Sequence, residues 1–332
     1  MVLAGHGVSL RVHQGSLVVK NGFTHYPQER EELRFFPGDR KLPSRIVVLD
    51  SDGSITLDVM KWLSRQGVPL VMVDWRGEVV SVVGDGGAYD PTLREAQVAA
   101  QRSGLGLQIA IDLIERKIRG SIETLQSLPP SLVQSAAIEQ LVVMSAELQG
   151  TPPENVQQLL LAEAKAAYVY FSCWRMLKIR WKGLRRKPIP PEWHSMDLRQ
   201  SLYGSGNRHA THPVNAMLNY AYATLESQVR IAIVSQGLDP TIGYLHACRP
   251  GRAALVYDLM EPLRSTVDQF VLDFVRSHTF SPNDFESRVD GVCRLHPQLA
   301  SQVVGSLRMG AAVQEVLPWL VKTVYRTAPD SR

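Results

Sequence analysis

Cysteine is scarce in this chain: among 332 residues there are three, Cys173, Cys248 and Cys293. An odd number spread this widely gives neither a disulfide framework nor the close Cys pair of a zinc site, and it fits a reducing compartment. No run approaches the roughly 18 uninterrupted apolar residues of a membrane helix. The stretch from Met1 to Lys20 breaks its apolar residues with His6, Arg11 and His13, so the core of a secretory signal is missing too. Internal repeats and low-complexity tracts are absent. With 45% hydrophobic and 20% charged residues the composition is that of a globular protein, which excludes collagen-like, coiled-coil and disordered classes. The expectation is a cytoplasmic protein without a membrane association.

A large excess of charge is also lacking, since the formal net charge is +4. Its distribution is more informative than its sum. Residues 1–90 hold ten Lys and Arg against eleven Asp and Glu, whereas residues 91–332 hold 26 against 21. Attraction for an anionic partner must therefore come from the second part.

What is present divides along the same line. Val8, Leu10 and Val12 alternate with polar neighbours, Gln14-Gly15 offers a turn, and Leu17 and Val19 resume the alternation, as in a β-hairpin. Ile46 to Leu49, Leu70 to Val73 and Glu78 to Val83 are further β-rich runs. Between them Ser54 or Thr56 can cap a helix carrying Leu57, Met60 and Leu63, which Gly67 ends. The turn-forming run from Gly84 to Pro91 then breaks the pattern. Beyond it the spacing predicts helices over Leu93 to Arg119, Ser131 to Leu148, Asn155 to Trp181, Pro213 to Gln236, Asp258 to Ser277 and Gln298 to Tyr325. The expected fold class is α+β: an N-terminal β-rich domain over residues 1–88, followed by an all-α domain over residues 92–328.

Two features of the helical part can carry chemistry. Arg175, Lys178, Arg180, Lys182, Arg185, Arg186 and Lys187 place seven cations within thirteen residues without one acid, with Trp174 and Trp181 interleaved. Such a stripe can pair with phosphates and an aromatic can stack on an unpaired base, whereas the bland alternative is a solvated helix end with cations near its C-terminus. The second is a scatter of potential hard-metal ligands. Glu163 is a single acid in an apolar, Ala-rich stretch, where it needs a partner, either an ion or a salt bridge. Asp258 and Glu261 lie three apart, on one face of a helix, with Arg264 three further on as a possible ion-pair partner. His246 precedes them across a loop holding Arg249 and Arg252. A lone His is more often structural than a ligand, but Glu163, His246, Asp258 and Glu261 together form an oxygen and imidazole set suited to Mg²⁺ or Mn²⁺.

At these residues the chain resembles a known family. The run from Gly237 to His246, then Leu255 to Arg264, then Val267-Asp268, is similar to the signature of the CRISPR-associated spacer-acquisition integrase, the first of the numbered CRISPR-associated proteins. His212 to Tyr222 resembles its Asn-rich helix, Glu163 to Tyr168 its first acidic helix, and Gly53 to Leu70 part of its β domain. Order and spacing of the blocks agree, and the likeness spans nearly the whole chain.

The resemblance implies a metal-dependent DNA endonuclease and integrase, in which the 3′-hydroxyl of a short foreign DNA attacks a phosphodiester of a CRISPR repeat, a transesterification. It implies Glu163, His246 and Glu261 as metal ligands for Mg²⁺ or Mn²⁺. Asp258 is a further catalytic acid, at the ion or supporting the site, and His246 binds metal or shuttles a proton. It further implies double-stranded and branched DNA as substrate, a homodimer formed through the β domain and a small ferredoxin-like companion protein. Arg175, Lys178, Arg180, Lys182, Arg185 and Arg186 would then hold DNA beside the site, with Arg249, Arg252 and Arg264 as further candidates. Tyr257 would stack at a DNA end or serve the core. The related integrase of self-synthesising transposons, a homologue outside any CRISPR locus and a noncatalytic DNA-binding scaffold are the competing readings. That the chain stops at Arg332, soon after its last predicted helix, favours the CRISPR reading over the transposon one.

Overall fold

The computed structural model describes residues 1–23, 31–43, 45–49, 51–74, 79–84, 90–183, 187–196, 210–249, 252–287, 291–307 and 309–325. Its elements run in the order β1 (Val2–Ala4), β2 (Val8–His13), β3 (Ser16–Lys20), β4 (Glu32–Phe35), β5 (Ile46–Leu49), β6 (Gly53–Ile55), α1 (Leu57–Arg65), β7 (Leu70–Val73) and β8 (Val79–Val83). The helical part follows as α2 (Pro91–Arg102), α3 (Gly104–Gln126), α4 (Leu132–Gly150), α5 (Val156–Ser172), α6 (Pro213–Ser235), α7 (Ala254–Met260) and α8 (Arg264–Ser277). A small antiparallel pair, β9 (Phe285–Ser287) and β10 (Cys293–Leu295), precedes α9 (Pro297–Ser306) and α10 (Gly310–Tyr325). This is the expected α+β class, strand-rich first and helical after. Among the described residues no helix is long and apolar enough to cross a membrane.

Strands β1 to β8 form two sheets, ordered β4-β3-β2-β6 and β1-β5-β7-β8. The predicted hairpin is β2 and β3, with His13 opposite Ser16 across Gln14 and Gly15. Those two residues have φ of 48° and 77°, the left-handed pair that a two-residue hairpin turn needs. Trp62 of α1 donates from Nε1 to the Gly15 carbonyl at 2.9 Å, fastening the helix to the turn. Thr56, not Ser54, stands before α1; Ser54 is consumed by β6.

Parallel pairing of β1 with β5 and β5 with β7 explains why these strands read as unbroken apolar runs. Their successive residues point to opposite faces, and both faces are buried. Leu3, Ile46, Val48 and Leu70 join the core shared with β2, β3 and α1, while Ala4, Val47, Leu49, Val71 and Val73 join the core of the helical part. One sheet thus walls both cores.

Several helices differ from their predicted spans. Ser103 divides the first into α2 and α3, its hydroxyl accepting from the Leu105 amide at 3.3 Å. The helix expected to reach Trp181 stops at Ser172 and passes through a single 3₁₀ turn, Cys173–Met176. From there Leu177 and Ile179 are buried while Lys178, Arg180 and Lys182 are exposed, a period of two. The segment is extended, with bridges from Lys178 to Ser195 and from Trp181 to Phe280. Asp258 to Ser277 is likewise interrupted, by a 3₁₀ turn over Glu261–Leu263 that contains Pro262. The last predicted helix is split into α9 and α10.

Candidate active site

Helix α3 buries Leu113, Ile114, Ile118 and Ser121 on its inner face, and Lys117 falls within that stripe. A cation so placed requires anions. Its ammonium donates to Glu163 Oε1, from α5, and to Glu261 Oε2 at 2.6 Å, from the 3₁₀ turn after α7. Glu163 therefore does have a partner, supplied by another helix and not by its own. Glu261 also accepts from Arg264 Nε at 3.1 Å, and the Arg264 guanidinium lies over the Tyr222 ring, 4.8 Å from its centroid. Burial by itself would raise the Glu261 carboxyl, but Arg264 and Lys117 outweigh it, with His246 adding to them, and hold it at about 2. For Lys117, burial works against the charge, yet Glu261 and Glu163 prevail and raise its pKa. An adjoining cavity of about 230 Å³ is lined by these groups together with Tyr170, Tyr222 and Asp268.

Asp258 faces elsewhere. It is wholly buried, and its carboxylate is encircled by the loop before α7. Oδ2 accepts from the Tyr244 and Leu245 amides, and Oδ1 accepts from the His246 amide at 2.9 Å and contacts His246 Nδ1 at 2.7 Å. The approach is so close that a Cβ on Gly243 would lie 2.8 Å from Oδ2 and 2.7 Å from the Ala254 side chain. Asp258 and Glu261, expected on one face of a helix, are turned to different partners, and Asp258 holds the His246 ring. An imidazole whose Nδ1–H is held by a carboxylate presents Nε2 as its free lone pair. Among the described residues Nε2 of His246 makes no hydrogen bond.

Two carboxylates converging on one cation, with an oriented imidazole near Glu261, fit the donor chemistry of Mg²⁺ or Mn²⁺. The cation between them is Lys117, and among the described residues no three His, Cys, Asp or Glu side chains are gathered to hold an ion as they stand. The residues fit an ion once Lys117 has moved.

The profile of the family described as CRISPR associated protein Cas1 matches residues 1–308. The chain belongs to the Cas1 family. A CRISPR-associated endonuclease Cas1 from Thermus thermophilus is 31% identical over 296 residues, which cover 87% of this chain and 80% of that one. A casposase bound to its integration product shares the fold with a TM-score of 0.77 at 23% identity, covering 100% of this chain and 91% of that one. A chain of a Cas6-RT-Cas1–Cas2 complex aligns with a TM-score of 0.74 at 16% identity, over 98% of this chain and 35% of that one.

Within this Cas1 fold the predicted nucleic-acid residues scatter. Arg175, Lys178, Arg180, Lys182 and Arg249 are exposed. Arg180 also donates to the Arg276 carbonyl. Arg185 and Arg186 lie outside the described residues. Arg252 stands over the Tyr257 ring at 5.4 Å, and Tyr257 in turn is 6.0 Å from the His246 ring. Arg264 is paired with Glu261, the ion pair anticipated as its alternative role. The tryptophans are a correction: Trp174 is wholly buried, and Trp181 packs among Trp193, Phe280 and Phe285, so neither is presented to a base. Lys117 was not anticipated. Its signal was available, since of Arg116, Lys117 and Arg119 it is Lys117 that stands at helical spacing from both Leu113 and Ile114.

Proposed function

We propose that this chain is a metal-dependent DNA endonuclease and integrase that joins short foreign DNA into a CRISPR repeat by transesterification. One observation carries the reading: Glu163 and Glu261, about a hundred residues apart, converge on a single cation position. The endonuclease name of the Thermus thermophilus relative supports it. Glu163, Glu261 and Nε2 of His246 would hold Mg²⁺ or Mn²⁺. Bound there, the ion would polarise the scissile phosphate and stabilise the leaving oxygen. The protein's own part is positional. Asp258 fixes the His246 ring, Arg264 fixes and ionises Glu261, and Tyr222 backs Arg264. The exposed cations of the extended segment, Lys178, Arg180 and Lys182, would neutralise phosphates of the duplex and branched DNA beside the site.

The same reading assigns a cytoplasmic enzyme that dimerises through its β-rich part and works with a small ferredoxin-like companion; the Cas1–Cas2 complex among its fold neighbours supports the latter. The test is an integration assay with labelled short duplexes and supercoiled plasmid, with and without Mn²⁺. Joining by wild type that requires Mn²⁺, and its loss in E163A, H246A and E261A with DNA binding retained, is the expected result. Full activity in all three variants would sink the site. Joining that ignores a repeat in the plasmid would favour the transposon-type integrase.

A further inference from the structure

Lys117 occupies the position that a metal would take. Its ammonium bridges Glu163 and Glu261, with its side chain 16% exposed and theirs 22% and 7%. Together with Arg264, the two acids and two bases form a linked set of four charges that sum to zero, with Asp268 beside Arg264 as a fifth. A divalent ion cannot simply be added to it. The lone pairs it needs accept from the ammonium, and a doubly charged ion beside that ammonium would be repelled in a site from which water is largely excluded. Entry of the ion therefore requires Lys117 to leave both carboxylates.

Departure is sterically open and electrostatically costly. The lysine stem is flexible, and the cavity of about 230 Å³ adjoins it. Yet the acid lining that cavity, Asp268, already accepts from the Tyr222 hydroxyl. Its one negative charge is shared with neighbouring Arg264, so with a divalent ion bound the formal charges of ion, Lys117 and Arg264 exceed those of Glu163, Glu261 and Asp268 by one until an anion arrives from outside. The anion that comes with the substrate is a phosphodiester.

Resting on the function proposed above, we infer that Lys117 is the resident cation of the metal-free site, which the metal must displace and which a DNA phosphate then receives. Metal and DNA consequently bind with positive coupling. In the absence of either, Lys117 keeps Glu163 and Glu261 assembled and prevents the ion from settling in a site without substrate. After displacement the ammonium faces the backbone of the bound DNA.

The coupling is read directly from Mn²⁺ affinity, by the paramagnetic resonance signal of free Mn²⁺, with and without a branched duplex ending in a 3′-deoxy nucleotide that cannot react. Without DNA, K117M is expected to bind Mn²⁺ about tenfold more tightly than wild type, a normal size for one coupled interaction. DNA is expected to tighten Mn²⁺ binding to wild type by about fivefold or more and to K117M by less than about twofold. K117R, which keeps the charge, is expected to bind Mn²⁺ no more tightly than wild type. Mn²⁺ uptake by wild type with K117M equal or weaker, or with the DNA effect unchanged in K117M, overturns the assignment of Lys117. Wild type that takes up no Mn²⁺ at all, with or without DNA, refutes the metal reading of the site itself. Should K117M fail to fold, K117Q repeats the measurement with the charge removed and a polar head retained.

Discussion

Asp258 and His246 form the most constrained pair in the site. Four donors surround one carboxylate, and none of them can be satisfied by an amide nitrogen. Asp258→Asn is therefore expected to free the His246 ring, lowering Mn²⁺ affinity and strand joining by about 10- to 100-fold. The ¹⁵N shifts of the imidazole would show the ring leaving a single tautomer; an unchanged tautomer with unchanged joining would remove Asp258 from the positioning role. Gly243→Ala reaches the same pair from the other side. With a Cβ 2.8 Å from Asp258 Oδ2 the loop must move, at a cost of about 1–3 kcal/mol in thermal or denaturant unfolding.

The limits of sequence reading are plain at these residues. Spacing placed Asp258 and Glu261 on one helical face, and the chain honours that only until the 3₁₀ turn at Glu261, where Pro262 withholds an amide and the two carboxylates diverge. Glu163 was visible as an acid that needed a partner. Which partner was not, because Lys117 lies 46 residues away and meets it only through the packing of α3 on α5.

Among the elements, α6 shows how a helix start becomes pH-sensitive. His212 stands at its N-cap and its Nδ1 accepts from the Val214 amide at 3.2 Å. Burial lowers its pKa from 6.5 to about 4, against smaller opposing effects of the Ser195 backbone, Glu192 and the Trp193 backbone. The folded state thus holds His212 neutral while the unfolded state protonates it below about 6.5. Stability from this group is complete above that pH and declines as pH falls toward about 4, below which the loss is complete. A shift of this size corresponds to roughly 3 kcal/mol. His212→Asn keeps a capping acceptor without the titration, so its unfolding free energy is expected to fall less steeply between those two pH values. Equal acid slopes for wild type and variant would assign the acid sensitivity to another group.

The extended segment after α5 is the element that pattern reading missed. Trp174, Leu177 and Trp181 keep a helical spacing while Leu177, Ile179 and Trp181 alternate, and from Leu177 onward tertiary pairing with Ser195 and Phe280 chose the alternation. Its cations consequently point one way, at Lys178, Arg180 and Lys182, and do not wind around a helix. Removing Lys178 and Lys182 together is expected to reduce the slope of log affinity for DNA against log salt by about two. Binding titrations at several salt concentrations with an unchanged slope would take this strand out of the DNA path.

Across the whole molecule, composition and turn chemistry divided the chain near Gly84 to Pro91, and the strand-rich and helical parts do fall on either side. The two cores, however, share the sheet of β1, β5, β7 and β8. Leu49 faces one of them and Leu70 the other, on adjacent strands. Each Leu→Ala change is expected to cost about 2–5 kcal/mol. Both are expected to displace one common unfolding transition; separate calorimetric peaks, each responding to only one of the two changes, would contradict a shared wall.

That wall also denies the molecule a hinge. For the strand-rich part to swing relative to the catalytic helices, Val47, Leu49, Val71 and Val73 would have to slide across helical side chains or be stripped to water, since they belong to the sheet itself and not to a linker. The distance from the site at Glu163 and Glu261 to the outer strands is accordingly a rigid dimension. A ligand spanning both must supply the compliance, which for the DNA of the function proposed above means bending in the duplex.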